Sequence, residues 1–162
     1  MVGMDQDKMI AFVAGCDEPD KLRTIIDNAR KRGAGRLADA AFRRLIAILP
    51  EEKPGSLEHD FWQTIHAFEH LLTEERGKTT RLSRTRQKVA RVGVRQTLAD
   101  WAVATQETEG FRMLLERGMP ELSGEAVVLR NADQFTPEMV AAARARLEAA
   151  GIDPDGLPAR VS

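Results

Sequence analysis

The most regular apolar pattern in the chain lies between Leu57 and Glu75. Its apolar side chains follow one another at steps of four, four, three and four residues, which places them on one face of an α-helix. Ser56 is a suitable N-cap in front of it, and Gly77 is a natural end behind it. We therefore predict a long, central core helix over 57–75 whose buried stripe consists of Leu57, Phe61, Ile65, Phe68 and Leu72.

Helical patterns separated by glycine and proline continue along most of the 162 residues. A short helix is expected over 123–129, although Val127-Val128 leaves a short strand open as the alternative. We predict an all-α fold of about six to eight helices, arranged as a compact bundle or as an irregular stack of helical hairpins. One helical domain over 1–152 and a flexible C-terminal tail over 153–162 complete this prediction.

The composition excludes several classes of protein. Cys16 is the only cysteine, so neither an intrachain disulfide nor a cysteine metal cluster within one chain is possible. The first residues lack a basic leader followed by a long apolar run, and no membrane span is expected. We predict a cytoplasmic location and no contact with a membrane.

Positive charge is concentrated in one segment. Residues 76–99 hold eight basic residues and no acid, whereas the net charge of the whole chain is only −1. Residues 76–100 carry a net charge of +7, and the parts before and after them carry −4 each. A positive band between two negative flanks indicates local binding of a polyanion.

A helix over 80–92 would give this segment two different faces. Four of its cations would fall within about 80° of arc, while Leu82 and Val89 would face the core. Arginine suits phosphate because its guanidinium binds two oxygens at once. The predicted function is therefore binding of nucleic acid, with DNA as the expected partner, and the predicted contact residues are Arg76, Lys78, Arg81, Arg84, Lys88, Arg91, Arg95 and Gln96.

Gly93 separates this helix from a second one predicted over 94–104, as in a helix-turn-helix. In that motif the second helix enters the major groove, and Arg95 and Gln96 lie at the start of the second helix here. These two residues are the predicted candidates for contacts with base edges, if sequence is recognised at all. Arg81, Arg84, Lys88 and Arg91 are the predicted phosphate contacts.

Other interpretations of the basic segment remain open. Its cations would form a solvated face or pair with the acidic flanks within the chain. They would also suit an acidic partner protein or the second copy of a homodimer. A helical interaction or dimerisation module is therefore the alternative prediction.

The three histidines all lie in the predicted long helix, and His66-Ala-Phe-Glu-His70 matches the H-x-x-E-H zinc-peptidase pattern. A small zinc-dependent hydrolase built on His66, Glu69 and His70 is the third interpretation. The pattern is short, and no further histidine offers a third ligand. We therefore predict a protein that is more readily a binding module than an enzyme, with no catalytic residue, cofactor or metal.

Overall fold

A computed structural model describes the backbone of residues 2–158 and the side chains of residues 6–158. Its contacts divide the chain into two compact units, of which the first extends to Glu51 and the second begins at Glu52. Whether the helices form one domain over 1–152, as a bundle or as a stack of hairpins, stays a prediction. The predicted flexible tail is described only to residue 158, and residues 159–162 lie outside the described part.

The first unit contains three helices: α1 (Val2–Ala14), α2 (Pro19–Arg32) and α3 (Gly35–Ile48). Helix α2 begins with Pro19 in its first turn, where the missing N–H costs no hydrogen bond, and ends at Gly33. Leu22 and Ile26 of α2 and Leu45 of α3 are fully buried.

The second unit contains six α-helices and three short 3-10 turns. Its helices are α4 (Leu57–Arg76), α5 (Ser83–Val92), α6 (Val94–Val103), α7 (Glu109–Glu116), α8 (Gly124–Arg130) and α9 (Pro137–Ala149). The 3-10 turns cover Pro120–Leu122, Ala132–Gln134 and Pro154–Gly156. The last of these turns lies in the predicted tail, and its Asp155 pairs with Arg144 of α9 at 3.0 Å.

Helix α4 is a core element of the second unit, with eleven of its twenty residues buried. The Ser56 hydroxyl caps it by accepting a hydrogen bond from the His59 amide at 3.1 Å, and Gly77 ends it in the left-handed conformation. Its whole predicted stripe is buried. Phe61 belongs to one core cluster with Leu98 of α6 and with Val127 and Val128 of α8.

The described residues form nine α-helices and no strand, so the all-α prediction is confirmed. The predicted number of about six to eight helices is too low. Helices as short as α7 and α8 are marginal in isolation, but each has a side-chain cap, from Thr108 and Ser123 respectively. The alternative of a strand at Val127-Val128 is wrong, because both residues lie in α8 and have no strand to pair with in the described chain.

Candidate nucleic-acid interface

The basic segment leaves α4 at Gly77 and is attached to α4 again before α5 begins. The Thr80 amide donates a hydrogen bond to the Thr73 hydroxyl at 2.9 Å. The Leu82 amide donates to the carboxylate of Glu69 at 2.8 Å. These bonds hold residues 80–82 in an irregular conformation, so the helix predicted from residue 80 begins only at Ser83. Arg81 consequently precedes the helix and does not share its face, contrary to the prediction.

Glu69 of α4 is the main anchor of α5. Besides the Leu82 amide, its carboxylate accepts two hydrogen bonds from the Arg86 guanidinium, from Nε at 2.8 Å and from Nη2 at 2.6 Å. Burial raises the pKa of Glu69, but the bonds from Arg86 and Leu82 outweigh burial and hold the pKa below its ordinary value. The Arg86 guanidinium also lies 5.0 Å from the ring centre of Trp62.

Helix α5 has no buried residue of its own. Leu82 and Val89 are partly buried and pack against the core cluster, as Trp62 does. At 100° per residue, the side of α5 opposite Val89 is occupied by Arg84, Gln87 and Arg91, and all three of these residues are exposed. The helix therefore packs on the core along one narrow side. We call its exposed opposite side, formed by Arg84, Gln87 and Arg91, the crest of α5.

Gly93 ends α5 and begins α6 in a single residue, with φ 89° and ψ 169°. This conformation is essentially restricted to glycine. Helix α6 turns most of its surface inward, and its buried residues are Val94, Thr97, Leu98, Ala99 and Ala102. A helix-turn-helix would need a longer turn and an outward second helix. The arrangement of α5 and α6 is therefore not that motif.

Asp100 of α6 connects the two helices. Lys88 Nζ of α5 lies 2.6 Å from Asp100 Oδ2, and Gln96 Nε2 donates to Asp100 Oδ1 at 2.8 Å. The hydrogen bond from Lys88, and then that from Gln96, lower the pKa of Asp100. Two of the predicted contact residues, Lys88 and Gln96, thus already have a protein partner.

The remaining predicted residues fall into two groups. Arg76 Nη2 lies 3.7 Å from Glu109 Oε2 in an exposed pair. The other five cations are exposed and have no ion-pair partner among the side chains of residues 6–158. These five, which we call the free cations, are Lys78, Arg81, Arg84, Arg91 and Arg95.

Three residues that shape this surface were not predicted to do so: Glu69, Arg86 and Asp100. The bond between Gln96 and Asp100 has the spacing of a helical (i, i+4) pair, so the sequence carried a signal for it. Glu69 lies 13 residues before Leu82 and 17 before Arg86. No local spacing rule connects residues so far apart.

The predicted zinc-hydrolase residues are used differently. Glu69 is engaged by α5, and His70 Nε2 lies 2.8 Å from Glu74 Oε1. No group of three or more His, Cys, Asp or Glu residues in the described part of the chain is placed to hold a metal ion. The carboxylate that would act as base in H-x-x-E-H is bonded to Arg86 and the Leu82 amide, so this geometry does not favour the hydrolase interpretation.

No protein-family model matches this chain, and no curated protein or solved structure is significantly similar to it. None of the described helices has the length and apolar content needed to cross a bilayer.

Proposed function

We propose that this helical protein binds nucleic acid, with DNA as the expected partner, through the free cations of the basic segment, and that it catalyses no reaction. The observation that carries the proposal is the presence of five exposed cations, without an ion-pair partner in the described part of the chain, on and beside a helix pair that other residues hold in place. Phosphates are the partners that such a surface would attract most strongly.

The internal pairs favour this proposal over a merely solvated face. Arg86 and Lys88 are bonded to Glu69 and Asp100, and they fix α5 against α4 and α6. The neighbouring Arg84, Arg91 and Arg95 have no such role within the described residues. The segment therefore divides its cations between attachment to the fold and exposure to solvent. We leave Lys88 and Gln96 out of the proposed contact set for this reason.

Negative flanks would restrict binding to this one surface. The parts of the chain on either side of residues 76–100 each carry a net charge of −4 and would repel phosphates. The proposal keeps the expected cytoplasmic location, with which a single cysteine is compatible.

The test is a titration of labelled double- and single-stranded DNA and RNA at about 50 and 200 mM salt. With four or five phosphate contacts, we expect affinity to fall on the order of a hundredfold over this range. The double substitution Arg84→Glu/Arg91→Glu should abolish binding. Lys53→Glu/Arg112→Glu changes the net charge by the same amount at exposed positions elsewhere in the second unit and should leave most of the affinity.

Absence of binding at both salt concentrations would contradict the proposal. The second candidate is then a helical module that binds an acidic protein or a second copy of itself. Val92 and Val103, at the ends of α5 and α6, are 39% and 55% exposed and would supply apolar contacts for it. Sedimentation over a range of protein concentrations would detect a homodimer.

A further inference from the structure

We infer that α5 is the helix that enters the major groove of a DNA duplex, with Gln87 as the residue that contacts a base edge. This inference rests on the proposed function and adds to it the form of the nucleic acid and the specificity-determining residue. It moves the base contact away from Gln96, whose amide donates to Asp100.

The shape of α5 suits a groove. Its ten residues give a length of about 15 Å, and a helix with its side chains is about 10–12 Å wide, close to the roughly 12 Å of the major groove. Because none of its residues is buried, α5 is attached along one side only. Helix α6 buries five of its ten residues and cannot offer a comparable surface.

The crest of α5 carries the chemistry that a groove requires. Gln87 lies between Arg84 and Arg91 along the helix axis, and the three side chains fall within about 60° of arc on the side opposite Val89. A glutamine amide can form two hydrogen bonds with N6 and N7 of adenine. These two atoms are accessible in the major groove, where their pattern distinguishes adenine from the other bases. Gln87 is exposed and has no side-chain hydrogen bond to the side chains described over residues 6–158 or to the described backbone.

The positions of the other free cations match those of phosphate contacts at the two ends of such a helix. Lys78 and Arg81 precede the first turn of α5, and Arg95 follows Gly93. A helix lying in the groove would bring its two ends toward the two phosphate backbones. Cations at both ends and a polar centre are therefore consistent with one docking orientation.

Single strands lack a docking platform on the second unit. Proteins that bind them without sequence preference stack bases on exposed aromatic rings. In the described part of this unit no aromatic side chain is exposed. Trp101 stacks on Phe61 with ring centres 5.7 Å apart, and Trp62 has the Arg86 guanidinium over it. Duplex RNA is excluded by a different feature, because its major groove is too narrow for a helix.

The experiment is affinity selection of the whole protein on a random duplex DNA pool, followed by titration of the selected duplex, its single strands and the matching RNA duplex. We expect a preference for duplex DNA and, within the selected duplex, a preference for adenine at one position. Gln87→Ala should abolish the preference for adenine at that position. A bidentate contact of this kind should discriminate about 5- to 150-fold. Gln134→Ala, an exposed glutamine elsewhere in the same unit, is the matched control and should keep the preference.

The outcomes separate this inference from the proposed function. Duplex DNA binding without sequence preference, or a preference that survives Gln87→Ala, would overturn the assignment of Gln87. Equal binding of single strands or duplex RNA would overturn the assignment of α5 to the major groove. Each of these outcomes would leave nucleic-acid binding intact. Absence of binding to every probe would overturn both.

Discussion

Helices α5 and α6 are both ten residues long and share Gly93, but they are held by different forces. Helix α6 buries five residues, with Leu98 fully inside the core. Helix α5 buries none and depends on Glu69, on the bridge from Lys88 to Asp100 and on two partly buried apolar side chains. The difference shows how a chain can expose a fixed helix: polar anchors replace an apolar face and leave the opposite side free for a ligand.

The largest effect should come from removing apolar contact on the α6 side. We expect Leu98→Ala to lower the free energy of unfolding by about 2–5 kcal/mol, because a fully buried leucine leaves a cavity. Val89→Ala on α5 should cost about 1 kcal/mol or less, because Val89 is only partly buried. Denaturation followed by the fluorescence of Trp62 and Trp101, both in the second unit, measures the two changes. Equal losses would contradict the comparison.

A smaller effect, confined to α5, is expected from its anchor. Glu69→Gln removes the charge that receives the Arg86 guanidinium and should cost about 1.5–3 kcal/mol in the local stability of α5. Amide hydrogen exchange should then accelerate over residues 80–92 and change little in α6. Glu75→Gln, an exposed residue on the same helix, is the control. Unchanged exchange in α5 would show that Glu69 is not its anchor.

The contribution of Glu69 to the local stability of α5 depends on pH. Because the pKa of Glu69 is lowered in the folded protein, its stabilisation is complete above the pKa that it has in the unfolded chain. The stabilisation is lost as the pH falls through the folded-state pKa. Acid should therefore lower the protection factors of the α5 amides in the natural protein, once the slower intrinsic exchange at low pH is accounted for. This component should be absent in Glu69→Gln.

Helices α4 and α5 show what could and could not be predicted from the sequence. Periodicity and caps located α4 to within a residue or two, because Ser56, Gly77 and the apolar stripe are local signals. The start of α5 was misplaced because Thr73 and Glu69, distant in sequence, take the amides of Thr80 and Leu82. Counting charges located the basic segment but could not show which of its cations are paired. Whether a cation is paired depends on tertiary contacts with other helices, which local sequence patterns do not contain.

The smallest effect on stability, and the sharpest one on binding, is expected at the bridge between the helices. Asp100→Asn removes a partly exposed ion pair and should change the free energy of unfolding by less than about 1 kcal/mol. It should also release Lys88 and remove a negative charge beside the free cations. If Lys88 then contacts a phosphate, affinity for duplex DNA rises at low salt, and the slope of log affinity against log salt steepens by about 0.9.

Asp133→Asn makes the same change of charge on an exposed residue away from the bridge and should leave the salt slope unaltered. A steeper slope in both variants would attribute the effect to net charge and not to Lys88. A slope that is unchanged in Asp100→Asn would mean that the bridge does not withhold a phosphate contact. In that case the division between cations that attach α5 and cations that meet the ligand would not depend on Asp100.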